Sequence, residues 1–251
     1  MDSGLYAAYT GLLARTQALD TAANNLANAG TTGFRAQRDS FSGVLASGFS
    51  YDQIAAGQQG SQVGNSINGY GILGGSAIDM GQGAMVTTGN PLDMALNGQG
   101  FFAVQTANGV RYTRDGSFMK SPDGQLQTQQ GEAVLDAQMQ PISLPSGVVD
   151  LAANGTMSVG GAVVDQVGVF NIAGSDLTVQ GLNRYMAAAG VTPTASDATV
   201  QQGATEGSNL DAVHGTMQLM LVQRQAEMMQ KALGVFNNDF DKTAVEEISK
   251  V

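Results

Sequence analysis

The chain has 251 residues, of which 43% are hydrophobic, 13% are charged and 34 are glycine, so its length predicts one large domain or two smaller ones. Its formal net charge of −10, with no Lys or Arg between Arg38 and Arg111, argues against nucleic acid or an anionic membrane as the partner. The absence of cysteine and the presence of a single histidine exclude disulfides, thiolate metal sites and multi-histidine metal sites.

The first predicted element is a helix over residues 3–28. Apolar residues recur there at alternating spacings of three and four, which places them on one helix face. The residues of this heptad pattern are Leu5, Tyr9, Leu12, Thr16, Leu19, Ala23 and Leu26. Gly30 is expected to cap the end of the helix. Because a single helix of this kind is marginal in water, the pattern predicts a partner.

A segment rich in Gly, Ser and Gln follows over residues 39–84 and is typical of a flexible linker. Tyr51, Ile54, Tyr70 and Ile72 are unusual for a linker. We therefore expect the segment to be disordered in the free chain and to pack on a neighbour after assembly.

The middle of the chain, residues 85–204, is predicted to be an antiparallel β domain. Apolar residues alternate on both sides of Asn108-Gly109, and Asn-Gly is a strong hairpin signal. Similar turn pairs occur at Asp115-Gly116, Asp123-Gly124 and Asn154-Gly155. Short apolar runs between such turns favour an antiparallel sheet or small barrel, with strands between about residues 85 and 185.

A second helix is predicted over residues 208–243. Ser208 and Asp211 have the spacing of a capping box at its start. A second heptad pattern follows at Leu219, Val222, Ala226, Met229, Leu233, Phe236 and Phe240. The two patterns predict an α+β fold in which residues 1–38 and 205–251 pair as a coiled coil beside the β domain.

No catalytic, cofactor-binding or metal-binding residue is predicted. The sequence contains no phosphate-binding loop, zinc-protease or serine-hydrolase motif, and its Asp-Gly pairs lack calcium-loop spacing. His214 has no recognisable Ser or Cys partner, which favours a packed or solvated histidine over a general base. No apolar run reaches the roughly 18 residues of a membrane span, and Asp2 stands where a signal peptide would carry a basic residue. We therefore expect no membrane insertion and no cleaved signal peptide.

Three motifs resemble those of the flagellar rod and hook family, the axial proteins of the bacterial flagellum. They are ANNLANAGTTGFRAQ (23–37), GNPLDMALNGQGFFAVQTANGVRYTRDGSF (89–118) and EGSNLDAVHGTMQLMLVQRQAEM (206–228). They occur in the family's order and extend over most of the chain. The stretches GFRAQ and AEMMQK look more like the proximal-rod protein than the distal-rod protein or the hook protein.

The resemblance implies a structural, non-catalytic subunit of the basal-body rod, located where the rod crosses the periplasm. Such subunits polymerise helically into the drive shaft that transmits motor torque to the hook. The terminal helices would pair as a coiled coil lining the inner tube. Implied partners are further copies, other rod and hook-side axial proteins, and the flagellar export apparatus.

The resemblance also implies residues at subunit contacts, namely Asn24, Asn25, Leu26, Asn28, Thr32, Gly33, Phe34, Ser208, Asn209, Gln223 and Arg224. Phe34 would fill a pocket on a neighbouring subunit, because an isolated chain offers no evident core beyond Gly30 and Gly33. Three alternatives remain open: a secreted acidic β-rich binding module of the adhesin type, a hook subunit, and a cell-wall hydrolase. The hydrolase would need two carboxylates converging in one cleft.

Overall fold

Two long helices lie towards the ends of the chain, and short strands fill the sequence between them. A computed structural model describes residues 2–41, 73–181 and 183–248. The helices are α1 (Asp2–Ala27) and α2 (Ala212–Ile248). The chain forms two compact units, a helical unit (Met1–Leu26, Arg38–Ser76 and Val213–Val251) and a β unit (Ala27–Gln37 and Ala77–Ala212). The expected α+β class is confirmed.

The strands are short, and a single 3-10 turn at Gly174–Asp176 interrupts their succession within the described residues. In chain order they are β1 (Gln37–Phe41), β2 (Leu73–Ile78), β3 (Met85–Thr87), β4 (Met94–Asn97), β5 (Phe101–Thr106), β6 (Gly109–Thr113), β7 (Phe118–Lys120), β8 (Leu126–Thr128), β9 (Ala133–Val134), β10 (Val149–Leu151), β11 (Thr156–Val159), β12 (Ala162–Gln166), β13 (Val169–Asn171), β14 (Leu177–Val179), β15 (Arg184–Ala187), β16 (Thr194–Ala195), β17 (Thr199–Gln202) and β18 (Ala204–Glu206).

The largest sheet has the strand order β14-β15-β6-β5-β9-β8-β7, and β13 joins it by pairing with β5 and β16. A three-stranded sheet has the order β10-β11-β12, and the remaining described strands pair as β1-β2, β17-β4 and β18-β3. The described strand pairings within the β unit are antiparallel, as predicted. Because β17 and β18 pair with β4 and β3, the C-terminal part of this unit closes onto its beginning.

Strand β5 lies at the centre of the β unit. Its first four residues, Phe101 to Val104, are 0% exposed. Phe101 and Ala103 belong to one apolar cluster with Tyr185, while Phe102 and Val104 belong to a second cluster. Successive side chains of a strand point to opposite faces, so both faces of β5 are covered. This explains why its first four residues form a continuous apolar run, so the expectation of alternating apolar residues in this strand was wrong.

The turn predictions agree with the structure. Asn108-Gly109 connects β5 to β6, with Thr106 opposite Gly109 in the register. Gly124 lies between β7 and β8 and donates its amide to Ser121 O, and Gly155 lies between β10 and β11 and donates to Ala152 O. Hydrogen bonds from residue i+3 to residue i close ordinary β-turns.

The face that α1 buries differs from the predicted one. Its buried residues are Ala14, Ala18, Ala22 and Asn25. Tyr9 of the predicted pattern is 53% exposed, and Thr16 and Ala23 are also exposed. The prediction was wrong because it followed the largest apolar residues, whereas the helix buries its smallest ones. Small side chains permit a close approach that leucines would prevent.

The buried face of α2 agrees with its predicted pattern over the residues whose side chains are described. Val222, Ala226 and Leu233 are buried, and Phe236 and Phe240 lie outside the described side chains. The predicted start is too early, because α2 begins at Ala212 and the Ser208 hydroxyl accepts a hydrogen bond from the Leu210 amide in the preceding turn.

Strands β1 and β2 were not predicted; β2 and most of β1 lie within the segment interpreted as a linker, residues 39–84. Most of that segment, residues 42–72, lies outside the described residues. The proposed domain boundaries at residues 38, 84 and 204 therefore stay predictions.

Candidate functional site: a docked segment and a buried ion-pair cluster

The chain that follows α1 folds into the β unit. The amide of Thr31 donates to Asn28 O at 3.0 Å, and the Thr31 hydroxyl approaches Asn28 Oδ1 at 3.3 Å. Gly30 was expected to cap α1, but the helix ends at Ala27 and the positive φ in this stretch is that of Gly33, at +68°. We call residues 32–36 the docked segment, because the main chain of all five is held by distant parts of the β unit.

Most hydrogen bonds to the docked segment involve its backbone. The partners lie in or beside β15, β18 and the turn before α2. The bonds are Asn183 Nδ2 to Thr32 O (2.7 Å), Gly33 N to Glu206 O (2.7 Å), Asn209 N to Phe34 O (3.2 Å), Arg35 N to Tyr185 Oη (3.2 Å) and Ala36 N to Asn209 Oδ1 (2.8 Å). The segment is therefore fixed in one register by groups more than a hundred residues away along the chain.

Gly33 lies where the docked segment passes against the backbone of the β unit. A Cβ atom at this position would be 2.3 Å from Asp115 N and 2.4 Å from Arg114 C. Backbone atoms cannot move aside as the end of a flexible side chain can. The position thus requires glycine both for its positive φ and for this close approach.

Phe34 is buried in the same chain, with 6% of its surface exposed. The expectation that an isolated chain offers it no core is therefore wrong. No local pattern indicated this, because the Tyr185 hydroxyl and the Asn183 amide that bond to the docked segment follow it by about 150 residues. A phenylalanine beyond a helix end looks exposed until the distant strands are placed around it.

Arg35, the next residue, belongs to a buried cluster of three charges. Its Nη2 lies 2.7 Å from Glu206 Oε1, and the two side chains are 1% and 0% exposed. Arg114 is 2% exposed, and its Nε lies 3.3 Å from Glu206 Oε2 without forming a hydrogen bond. Gly83 N donates to Glu206 Oε1 at 2.7 Å, and Arg114 Nη2 donates to Gly98 O at 2.6 Å. One carboxylate thus lies between two guanidinium groups.

Burial shapes the proton affinities around this cluster. Desolvation lowers the pKa of Arg114 to about 10, although the nearby Glu206 carboxylate acts in the opposite direction. Desolvation also raises the pKa of Tyr185 to about 12. At neutral pH Arg114 is therefore charged and Tyr185 is neutral, so the tyrosine oxygen can accept the Arg35 amide proton. Burying charges is costly unless they are paired, and here Glu206 pairs with both arginines.

The three sequence motifs meet at this cluster. Arg35 comes from the first motif, Arg114 from the second and Glu206 from the third. None of the three was among the predicted site residues, nor were Asn183 and Tyr185. The available signal was that Arg35 is the single charged residue of the first motif, in a chain with only 13% charged residues.

The predicted site residues divide between the two units. Thr32, Gly33 and Phe34 lie together with Asn209 at the docked segment, and Ser208 is adjacent. The remaining predicted site residues lie elsewhere. Asn24, Asn25 and Leu26 lie on α1, and Asn28 lies in the turn after it. Gln223 and Arg224 lie on the exposed surface of α2. Gln223 Nε2 donates to Glu227 Oε1 at 3.3 Å, a contact within the helix. Their assignment to subunit contacts stays a prediction.

The residues described show neither a membrane-spanning helix nor a metal-binding group. Neither α1 nor α2 combines the length and apolar character needed to cross a membrane. Within residues 2–41, 73–181 and 183–248, no three side chains of His, Asp or Glu gather closely enough to hold a metal ion.

Two family models match the chain. One is described as the flagellar hook protein FlgE/F/G D1 domain and matches residues 95–163. The other is described as the flagella basal body rod protein and matches residues 5–35, which include the first residues of the docked segment. The chain is thus an axial protein of the flagellum by class.

Curated relatives match over nearly the whole length. The chain is 32% identical to the flagellar basal-body rod protein FlgF of Caulobacter vibrioides, with 100% of both chains covered. It is 34% identical to FlgF of Escherichia coli over 91% of this chain and 92% of that one. It is 32% identical to FlgG of Agrobacterium fabrum over 90% and 92%. The chain belongs to the flagellar basal-body rod protein family, which confirms the resemblance.

Percentage identity does not divide the relatives by type. Named FlgF proteins reach 34% identity and named FlgG proteins reach 32%. The closer likeness to the proximal-rod protein therefore stays a prediction.

Proposed function

We propose that this protein is a structural, non-catalytic subunit of the bacterial flagellar basal-body rod. It polymerises helically with further copies and with other axial proteins into the shaft that transmits motor torque to the hook. Membership of the basal-body rod family over the full chain supports this function. The observation that carries it in the structure is that α2 has two apolar faces and the chain buries one of them.

The exposed surface of α2 is rich in methionine. Val222, Ala226 and Leu233 are buried on the inner face. Exposed apolar residues elsewhere on the helix are Met217 (52%), Met220 (53%), Leu221 (57%) and Met228 (62%). With Arg224 and Gln225 they line a groove of about 380 Å³. We call this surface the outer face of α2. Contiguous exposed apolar surface marks an interaction site, and methionine adapts well to the shape of a partner.

A second copy of the chain is the partner this surface favours. Contacts between different surfaces of identical subunits build open helical polymers when the rotation between subunits does not close a ring. Leu13 of α1 is 71% exposed and Tyr9 is 53% exposed, so α1 also offers apolar surface to a neighbour. Asn24, Leu26, Asn28, Gln223 and Arg224 would contribute polar and apolar contacts at the same interfaces.

Pairing of α1 with α2 as a coiled coil is the second part of the proposal. Both helices belong to the helical unit. A Cβ atom placed on Gly11 would be 3.3 Å from Met229 Cε, so the end of the Met229 side chain reaches α1 at that point. The buried Ala14, Ala18 and Ala22 of α1 suit a close pairing along the remaining length.

The proposal extends to location and export. The subunit would lie in the rod where it crosses the periplasm, and it would reach that place through the flagellar export apparatus without a cleaved signal peptide. The family relationship supports this location.

The experiment with the sharpest control substitutes the outer face of α2. A full chain carrying Met217→Asn and Met228→Asn should melt as the unsubstituted chain does, because exposed substitutions usually change stability by less than about 0.5 kcal/mol. In a strain lacking the native gene, this variant should be exported but should not restore rods seen by electron microscopy. The matched control, Thr216→Asn with Glu227→Gln, changes exposed polar positions of the same helix and should restore them.

Deletion of the gene gives the broader test. Loss of motility together with truncated basal bodies supports the proposed function. Intact flagella in the deletion strain would overturn it, and intact rods built from the methionine variant would overturn the role of the outer face.

A further inference from the structure

We propose that the β unit contains a sequence-selective peptide-binding site, filled in this chain by its own docked segment, that accepts the same segment from a second copy. We call Asp115, Asn183, Tyr185, Glu206 and Asn209 the docking site. The inference does not depend on the proposed rod function, because it concerns contacts within the β unit and can be measured with purified protein.

The docking site holds the main chain of its occupant as a peptide-binding protein does. Side chains of Asn183, Tyr185 and Asn209 bond to backbone atoms of the segment at 2.7, 3.2 and 2.8 Å. Backbone bonds from Gly33 N to Glu206 O and from Asn209 N to Phe34 O complete the set. Such bonds fix direction and register for any occupant with the same backbone path.

Two positions make the site selective. The first accepts only glycine, since any Cβ at residue 33 would be 2.3 Å from Asp115 N. The second requires a guanidinium at residue 35, because Glu206 is 0% exposed and its Oε1 lies 2.7 Å from Arg35 Nη2. Without the Arg35 guanidinium, the buried Glu206 carboxylate loses its hydrogen-bonded counter-charge. The preferred ligand is therefore a peptide containing Gly-Phe-Arg, with its glycine at a positive φ as in Gly33.

Nothing in these contacts requires the segment and the site to belong to one chain. Apart from the bond that Asp79 N donates to Ala36 O, the bonded residues are 150 to 175 positions apart in sequence. The same bonds would form with a segment from a second copy, and only the effective concentration would differ. Displacement of the segment from its own site leaves a vacant site and a free segment on each molecule, which is the condition for exchange between copies.

A synthetic peptide of residues 28–38 tests the site directly. The protein is the full chain carrying Gly33→Val, whose own segment cannot dock. We expect saturable binding of one peptide per chain by calorimetry. The unsubstituted chain should bind the peptide at least about tenfold more weakly, because its own segment competes. A peptide carrying Arg35→Ala should lose more than about tenfold in affinity, the size expected for a lost hydrogen-bonded charge. A peptide carrying Gly33→Val should not bind.

Binding of the Gly33→Val peptide as tight as that of the native peptide, or no binding by a folded Gly33→Val chain, would overturn the site. If the Gly33→Val chain does not fold by itself, it is refolded with each peptide. Recovery of the β-sheet circular dichroism with the native peptide and not with the Gly33→Val peptide supports the site, and no recovery with either overturns it.

The second copy is tested by mixing two full-length variants. The Gly33→Val chain has a vacant docking site, and a chain carrying Asn183→Ala with Tyr185→Phe has a weakened site but an intact segment. Native mass spectrometry should detect a heterodimer of the two, and neither variant alone should dimerise. Peptide binding without a heterodimer would overturn the second copy as the occupant.

Discussion

The guanidinium of Arg35 and the carboxylate of Glu206 form an ion pair 2.7 Å long whose side chains are 1% and 0% exposed. The two residues are 171 positions apart in sequence. Arg35 follows the turn after α1 and Glu206 ends β18, so this one contact joins both ends of the β unit. The same carboxylate also faces Arg114, which makes it a shared counter-charge for two buried cations.

Replacing the carboxylate should therefore be severely destabilising. Glu206→Gln keeps an oxygen that can accept the Gly83 amide and removes only the charge. We expect a loss of about 3 to 5 kcal/mol in the free energy of unfolding, because both buried arginines lose their counter-charge. Glu132→Gln is the matched control, since the Glu132–Arg184 pair is equally close at 2.6 Å but its side chains are 14–15% exposed. Its loss should be near 1 kcal/mol or less. Urea denaturation measures the free energy of unfolding of both variants, and equal losses would contradict the importance of a fully buried counter-charge.

Truncation of Phe34 should destabilise the β unit of the free subunit. Phe34→Ala removes a ring that is 6% exposed, and such truncations typically cost about 3 to 5 kcal/mol. Val148→Ala, at a position 72% exposed in the same unit, should change stability by less than about 0.5 kcal/mol. Thermal unfolding followed by circular dichroism distinguishes them. An unchanged melting temperature for Phe34→Ala would restore the idea that this ring awaits a neighbouring subunit.

Two nearby glycines should respond oppositely to alanine. Gly33→Ala places a Cβ 2.3 Å from Asp115 N and holds a positive φ, so it should reduce stability. Gly30→Ala meets nothing within 4 Å and should be neutral or stabilising by up to about 1 kcal/mol, since alanine restricts the unfolded chain. Chemical denaturation of the two variants side by side is sufficient. A tolerated Gly33→Ala would show that the docked segment can move away from Asp115.

Asp115 should make stability depend on acidity. Desolvation raises the pKa of its carboxyl above the usual range, and the nearby Asp93 raises this pKa further. Hydrogen bonds from Ser117 and the charge of Arg184 lower it, but they do not cancel the increase. Between the unfolded and folded pKa values the folded state holds more protons, so this group reduces stability as pH rises through that window. Asp115→Asn should then be more stable than the native chain at neutral pH, with the advantage shrinking as the pH falls. Unfolding measured across the acidic range tests the trend, and a growing advantage on acidification would contradict it.

A bulky residue at Gly11 should disturb the helical unit. Gly11→Leu forces extra volume against Met229, whose Cε lies 3.3 Å from the position of a Cβ. Overpacking of this kind typically costs about 1 to 3 kcal/mol. Gln17→Leu is the control, because Gln17 is exposed on the same helix. Helical circular dichroism during thermal unfolding compares them, and equal melting of both variants would count against close pairing of α1 and α2.

The local features of the fold could be predicted from the sequence because their causes are local. The predicted first helix, 3–28, differs by one residue at each end from the observed Asp2–Ala27. The Asn-Gly and Asp-Gly turns lie between strands as expected, since hairpin geometry depends on a few adjacent residues. The family was also recognisable, because its motifs are linear.

The buried face of α1 and the burial of several other side chains depend on tertiary contacts. Periodicity identified an apolar face on α1, but the helix buries Ala14, Ala18 and Ala22 instead. Which face of the helix is buried depends on the surface against which it packs. The same holds for Phe34 and for the charges of Arg35, Arg114 and Glu206. Their neighbours are brought together by strand pairings across most of the chain, and no pattern within one segment encodes the position of another. Burial of a charge depends on a partner that is distant in sequence, which is why the cluster emerged only when the chain was folded.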